Sequence, residues 1–162
     1  MNRTEYLYEE FIRICKTLNG QLQITPVLYG SLGLGKVAQT DFLPQDIDIL
    51  VPRVYLEERW DELLEIMGQL GYSLADLREH EFSNGETQIG FAFAEDLKRF
   101  ADVAYQELET VEESGAAYHV LTAGDYLKVY TKSAQDGYRR TKNNQKDLEK
   151  LEYLRGMEET KG

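Results

Sequence analysis

The chain has 162 residues, 42% of them hydrophobic and only three of them proline, with 18 Lys or Arg against 29 Asp or Glu for a formal charge of −11. That apolar content fills a core and excludes a disordered or fibrous chain, and the length suits a single domain, 1–162. No run approaches the roughly 18 apolar residues of a membrane span, and Glu5, Glu9 and Glu10 stand where a secretory leader would be basic and then apolar. The expectation is a cytoplasmic protein with no membrane partner.

Charge is unevenly placed. Residues 1–127 hold 9 basic and 23 acidic side chains, whereas residues 128–162 hold 9 basic and 6 acidic. Duplex nucleic acid is held by clustered Lys and Arg, so the acidic body argues against it as a partner, while the basic tail suits a small polyphosphate. The single cysteine, Cys15, shares a helical stripe with Phe11, Ile14 and Leu18 and reads as core.

In chain order, Thr4 is placed to cap a helix through Leu18 that Asn19-Gly20 ends. Residues Thr25 to Tyr29 read as a strand, Gly30 to Gly35 as a glycine-rich turn, and Asp46 to Val51 as a strand with one face on a cleft. A helix spans Leu56 to Leu70 and stops at Gly71. Strands follow at Thr87 to Ala94, Phe100 to Tyr105 and Glu109 to Glu113, with Asn84-Gly85 as a hairpin turn. Helical periodicity returns at Tyr126 to Ser133 and Lys142 to Arg155, within a C-terminal helical segment 123–156. This order is not the regular alternation of a doubly wound sheet, so the fold class is α+β with a mixed sheet.

The chemistry lies in Tyr29-Gly30-Ser31 followed by Asp46-Ile47-Asp48-Ile49. Alternation along a strand places Asp46 and Asp48 on one face and the isoleucines in the core. Asp102, in Phe100-Ala101-Asp102-Val103-Ala104, is the third candidate, on another expected strand. Two unit charges about 5 Å apart repel by roughly 3 kcal/mol at an effective dielectric near 20, so converging carboxylates call for a cation. All-oxygen ligands suit Mg²⁺ or Mn²⁺. Zinc does not fit, because His80 and His119 keep no ligand spacing with Cys15. Gly30 lets backbone approach phosphates, and Ser31 offers a hydroxyl and an N–H. The blander reading makes Asp46 and Asp48 ordinary acids of an edge strand. A rival motif, Gly30-x-x-x-x-Gly35-Lys36, lacks the Ser or Thr that a P-loop needs, since Val37 follows.

These residues resemble the signature of the DNA polymerase beta-like nucleotidyltransferase superfamily: an apolar residue, Gly, Gly or Ser, a spacer, then Asp-h-Asp-h. The spacer here is fourteen residues, similar to that of small antibiotic nucleotidyltransferases of the lincosamide type, although a second glycine is absent. The resemblance implies a mixed-sheet nucleotidyltransferase fold with helices packed on one side. It also implies metal at Asp46, Asp48 and Asp102, with catalysis by the same three. Gly30 and Ser31 would hold the triphosphate, assisted by Lys132, with Arg140 and Lys146-Asp147 as looser matches. The expected activity is transfer of a nucleoside monophosphate from an NTP to a hydroxyl of a small-molecule acceptor, an antibiotic among the candidates. A nucleotidyltransferase-fold binding or regulatory module, such as a toxin–antitoxin component with little turnover, is the alternative. Assembly as a homodimer is left open.

Overall fold

The computed structural model describes residues 2–135 and 150–156. Its first helix, α1 (Arg3–Leu22), is capped by Asn2, whose side chain accepts from the Glu5 N–H. Thr4, the expected cap, lies inside the helix and donates instead to Asp41. Asn19-Gly20 does not stop it. The Asn19 amide donates to the Ile24 and Ala117 carbonyls and accepts from the Ala117 N–H, so it ties the helix to the sheet rather than breaking it. The helix closes at Gln23, in the left-handed region at φ 54°. Leu7, Phe11, Ile14, Cys15 and Leu18 recur at three- and four-residue spacing and are fully buried. Burial pushes the Cys15 thiol up to about 12, which makes it an inert core group.

The remaining elements are β1 (Val27–Tyr29), α2 (Gly30–Ala38), β2 (Ile47–Val51), α3 (Trp60–Gln69), β3 (Ser73–Asp76), β4 (Glu81–Ser83), β5 (Gln88–Phe93), α4 (Asp96–Ala101), β6 (Glu109–Glu113), β7 (Ala116–Val120) and α5 (Ala123–Gln135). Seven strands form one sheet in the order β3-β4-β5-β2-β1-β7-β6. The pairs β2/β5 and β1/β7 are parallel and the others antiparallel, which makes this the expected mixed α+β sheet. Asn84-Gly85 does turn the chain between β4 and β5.

Two further local expectations differ from the structure. Gly30 to Gly35 is not a free turn but the first part of α2. Its glycines serve close approach: a Cβ on Gly33 would lie 2.3 Å from the Tyr126 hydroxyl and 2.8 Å from the Leu28 carbonyl oxygen. Phe100 to Tyr105 is not a strand. Phe100 and Ala101 finish α4, Asp102 caps it in the left-handed region at φ 58°, and a 3-10 turn follows at Tyr105–Glu107. The apolar residues around Asp102 therefore mark a helix end, where Leu97, Ala101 and Val103 turn inward.

Helices lie against both faces of the sheet. On one, α1 and α3 enclose Leu28, Ile47, Ile49, Val51, Phe82 and Ile89 in a single cluster. On the other, Val27 and Leu50 pack with α4, α5 and the helical residues 150–156. That second covering is partial, and the strip of β2 and β5 it leaves bare floors a cavity. Arg140, Lys146, Asp147 and the 142–149 stretch lie outside the described residues. Among those described, no helix is long and apolar enough to cross a membrane.

Candidate active site

The antiparallel pairing of β1 with β2 sets Tyr29 opposite Asp48, so the next residue, Gly30, meets the Asp48 side chain. A Cβ on Gly30 would fall 2.2 Å from Asp48 Oδ2, and its φ of +67° disfavours other residues as well. Glycine is thus the residue that lets the Asp48 carboxylate lie against the start of α2. Ser31 follows, and its hydroxyl accepts from Lys150 Nζ at 2.7 Å, across 119 residues of sequence.

The neighbouring strands complete the floor. Parallel pairing puts Gly90 of β5 level with Asp48, and antiparallel pairing puts Glu81 of β4 level with Gly90. A Cβ on Gly90 would stand 3.5 Å from Asp48 Oδ1 and 4.0 Å from Glu81 Cγ. The Asp48 and Glu81 side chains therefore flank the bare Gly90 position from either side. The cavity is about 460 Å³, and Gly30, Ser31, Asp48, Glu81, Tyr130 and Lys150 all line it. Lys150 Nζ also lies 5.3 Å from the centre of the Tyr130 ring. Behind this wall Tyr126 stacks between Tyr29 and Tyr130, with centroids 6.2 Å apart on each side. Complete burial first, then Tyr130, Tyr29 and Asp48, hold its hydroxyl far above the ordinary tyrosine range, so it stays protonated.

The sequence-predicted residues divide. Gly30, Ser31 and Asp48 come together. Asp46 is exposed just before β2 and is not in the cavity wall. Asp102 does not join them: its side chain is 79% exposed, and Lys98 Nζ donates to its Oδ1 at 2.6 Å. The hydrogen bond from Lys98 and that ammonium's charge, with Lys128 adding a little, hold the Asp102 carboxyl below its ordinary range. Lys132 lies with Asp102 and Lys128 along a separate shallow groove, so the cation beside Ser31 is Lys150 instead.

Glu81, Gly90 and Lys150 were missed by sequence reasoning. Strand register alone reveals the first two, and no local pattern ties Lys150 to Ser31. Among the described residues no group of three His, Cys, Asp or Glu is placed to hold a metal ion. Asp48, with Asp46 two residues upstream, still offers oxygen donors of the kind Mg²⁺ uses when phosphate oxygens supply the rest.

No family model matches the chain. Two solved structures share its fold. The antibiotic-resistance factor ANT(2'')-Ia in solution superposes with a TM-score of 0.53 at 17% identity, over 99% of this chain and 94% of that one. ANT(2'')-Ia in complex with adenylyl-2''-tobramycin gives 0.50 at 15% identity, over 99% of both chains. The chain accordingly shares the mixed α+β fold of ANT(2'')-Ia. In sequence the chain is 55% identical over 148 residues, 91% of its length and 95% of the relative's, to the uncharacterized protein YnaI of Bacillus subtilis (strain 168), and it belongs to that protein's family.

Proposed function

We propose that the protein is a nucleotidyltransferase that binds a magnesium-bound nucleoside triphosphate in the Asp48 cavity and passes the nucleoside monophosphate to a hydroxyl of a small-molecule acceptor. One observation carries this reading: Gly30 stands where any Cβ would strike the Asp48 carboxylate, which brings the backbone at the start of α2 and a carboxylate oxygen to one point. In the transfer, the acceptor oxygen bonds to the α-phosphorus, the bond from that phosphorus to the bridging oxygen breaks, and pyrophosphate leaves. Asp48, with Asp46 exposed two residues upstream, would hold the ion that arrives with the nucleotide, and such an ion would supply charge neutralisation on the phosphates. Ser31 and Lys150 face the β- and γ-phosphates, replacing the role expected of Lys132. Glu81, across Gly90 from Asp48, is the carboxylate placed to take the acceptor's proton, a task for which Asp102 stands in the wrong part of the fold.

The reading is tested by titrating MgATP and MgGTP into the wild-type protein and Asp48→Ala. At least one nucleotide should bind the wild type, and the variant should bind it at least ten-fold more weakly. Equal binding by the two proteins sinks the proposal.

One observation favours a second reading, that of a nucleotide-binding or regulatory module with little turnover. The position level with Asp48 on the adjoining strand is Gly90, not a third carboxylate. Asp48-dependent nucleotide binding without pyrophosphate release, across a panel of hydroxylated acceptors, is the outcome that selects it.

A further inference from the structure

A second cavity, of about 430 Å³, lies between the first half of α1, α2 and the 40–44 loop. It adjoins the Asp48 cavity, since Ser31 lines both. Leu32 and Pro44 are buried in its wall, and the rings of Tyr8 and Phe42 are half-buried there. This is the size and apolar character of a small-molecule site.

The charges around it are unequally spent. Asp41 accepts hydrogen bonds from the Thr4 hydroxyl and the Leu43 N–H, both at 2.8 Å, so it serves to fold its own loop. Lys36, in the cavity wall, is held by both carboxylate oxygens of Glu113 at 3.2 Å and lies 4.2 Å from the centre of the Tyr8 ring, so its charge is already paired. Glu5 and Glu9 remain. They are four residues apart on α1 and so share a face, and neither carboxylate has a hydrogen-bond or ion-pair partner among the described residues. A cation between them relieves their mutual repulsion, while the wall hydroxyls of Thr4, Ser31 and Thr40 are already engaged, by Asp41, Lys150 and Tyr153 respectively.

We infer that this cavity is a binding site for an amphipathic amine, its ammonium between Glu5 and Glu9 and its apolar body against Leu32, Phe42 and Pro44. The site stands whether or not the neighbouring cavity takes a nucleotide. Its chemistry selects an amine on an aromatic or alkyl body over a polyhydroxylated one.

Amide chemical shifts of the full chain, followed during titration with 4-phenylbutylamine, test this directly. The amine should bind with shifts centred on Leu32, Gly35 and Phe42, and the neutral 4-phenylbutanol should bind at least five-fold more weakly. The exposed double variant Glu5→Gln/Glu9→Gln should lose about ten-fold in amine affinity with its melting temperature nearly unchanged. Asp48→Ala should bind the amine like the wild type, which separates this inference from the nucleotide reading. Absence of amine binding at 10 mM overturns the inference, as do equal binding of amine and alcohol, an unaffected double variant, or tighter binding of tobramycin in the same cavity.

Discussion

The two faces of the central sheet are built from the same strands and put to opposite uses. On the face beneath α1 and α3, Leu28, Ile47, Ile49 and Ile89 are all fully buried. On the opposite face, Val27 and Leu50 are covered, but Asp48 and Gly90 open on the cavity and Ala92 is exposed. Strand alternation lets β2 serve both, with Ile47, Ile49 and Val51 pointing one way and Asp48 the other. Each buried Ile contributes about 1.5–3 kcal/mol of transfer free energy, whereas a half-buried carboxylate contributes little to folding. The closed face should therefore hold the fold, and the open face should hold whatever binds.

The most severe test of that division is Ile49→Ala. Ile49 pairs with Leu28 on one side and Phe91 on the other, with no exposed surface. Removing its side chain should cost about 2–5 kcal/mol in urea denaturation, because the lost transfer free energy is compounded by a cavity. The fraction still folded should bind MgATP as before. A large loss of stability from Asp48→Asn instead, with a small one from Ile49→Ala, would invert the comparison.

On the open face the contrast to measure is Asp48→Asn against Asp102→Asn. The first should weaken magnesium-nucleotide binding at least ten-fold, a change of about 1.4 kcal/mol or more. The second should leave binding within two-fold, since Asp102 only pairs with Lys98 on an exposed helix end. The lowered Asp102 carboxyl contributes stability that is present above the ordinary carboxylate range and fades as pH falls through its depressed folded value. Its removal should consequently show as a flatter acid limb when melting temperature is followed against pH.

These two aspartates also show what the sequence makes legible. Asp48 sits in an alternating Ile-Asp-Ile run that reads as a strand with one polar face, and Gly30-Ser31 at the end of the preceding strand favours a cleft over an edge for that face. Asp102 has apolar flanks too, but they belong to a helix end, and the signal of that end was Lys98 four residues earlier, the spacing of an ion pair along a helix. The glycines of α2 read as a turn because local patterns report freedom at a glycine, not the tyrosine hydroxyl that Gly33 must clear. Glu81 and Gly90 depend on register between strands, and Lys150 on a contact 119 residues distant, so neither is written in any local window. The hairpin β6–β7 turns at Ser114-Gly115, both at positive φ, yet its second strand, Ala116–Val120, has no strict alternation to announce it.

A change at Gly90 sharpens the account of the open face from the other direction. Its φ lies outside the left-handed region, and an added Cβ would meet Asp48 Oδ1 at 3.5 Å, an ordinary contact. Gly90→Asp should therefore fold and place a third carboxylate level with Asp48. Mn²⁺ affinity, followed by the electron paramagnetic resonance of the free ion without nucleotide, should rise about three-fold or more. The added like charge should lower stability by up to roughly 3 kcal/mol when no ion is present. Unchanged Mn²⁺ affinity would mean that the cavity floor does not gather cations, and the Asp48 face would lose its claim to metal chemistry.

The smallest expected effect lies away from both faces. Gly20 is exposed in the last turns of α1, and a Cβ there would meet nothing within 4 Å. Its φ is not in the left-handed region, so the native backbone suits alanine. Gly20→Ala should stabilise the protein by about 0.5–1 kcal/mol, chiefly by reducing the conformational freedom of the unfolded chain, with the lower value favoured near a helix end. Urea denaturation at constant slope reads the change. Because α1 covers the closed face, this gain should leave nucleotide affinity untouched. Were affinity to rise or fall with it, the helix on the closed face would be coupled to the cavity on the open one, and the two faces would no longer be separable.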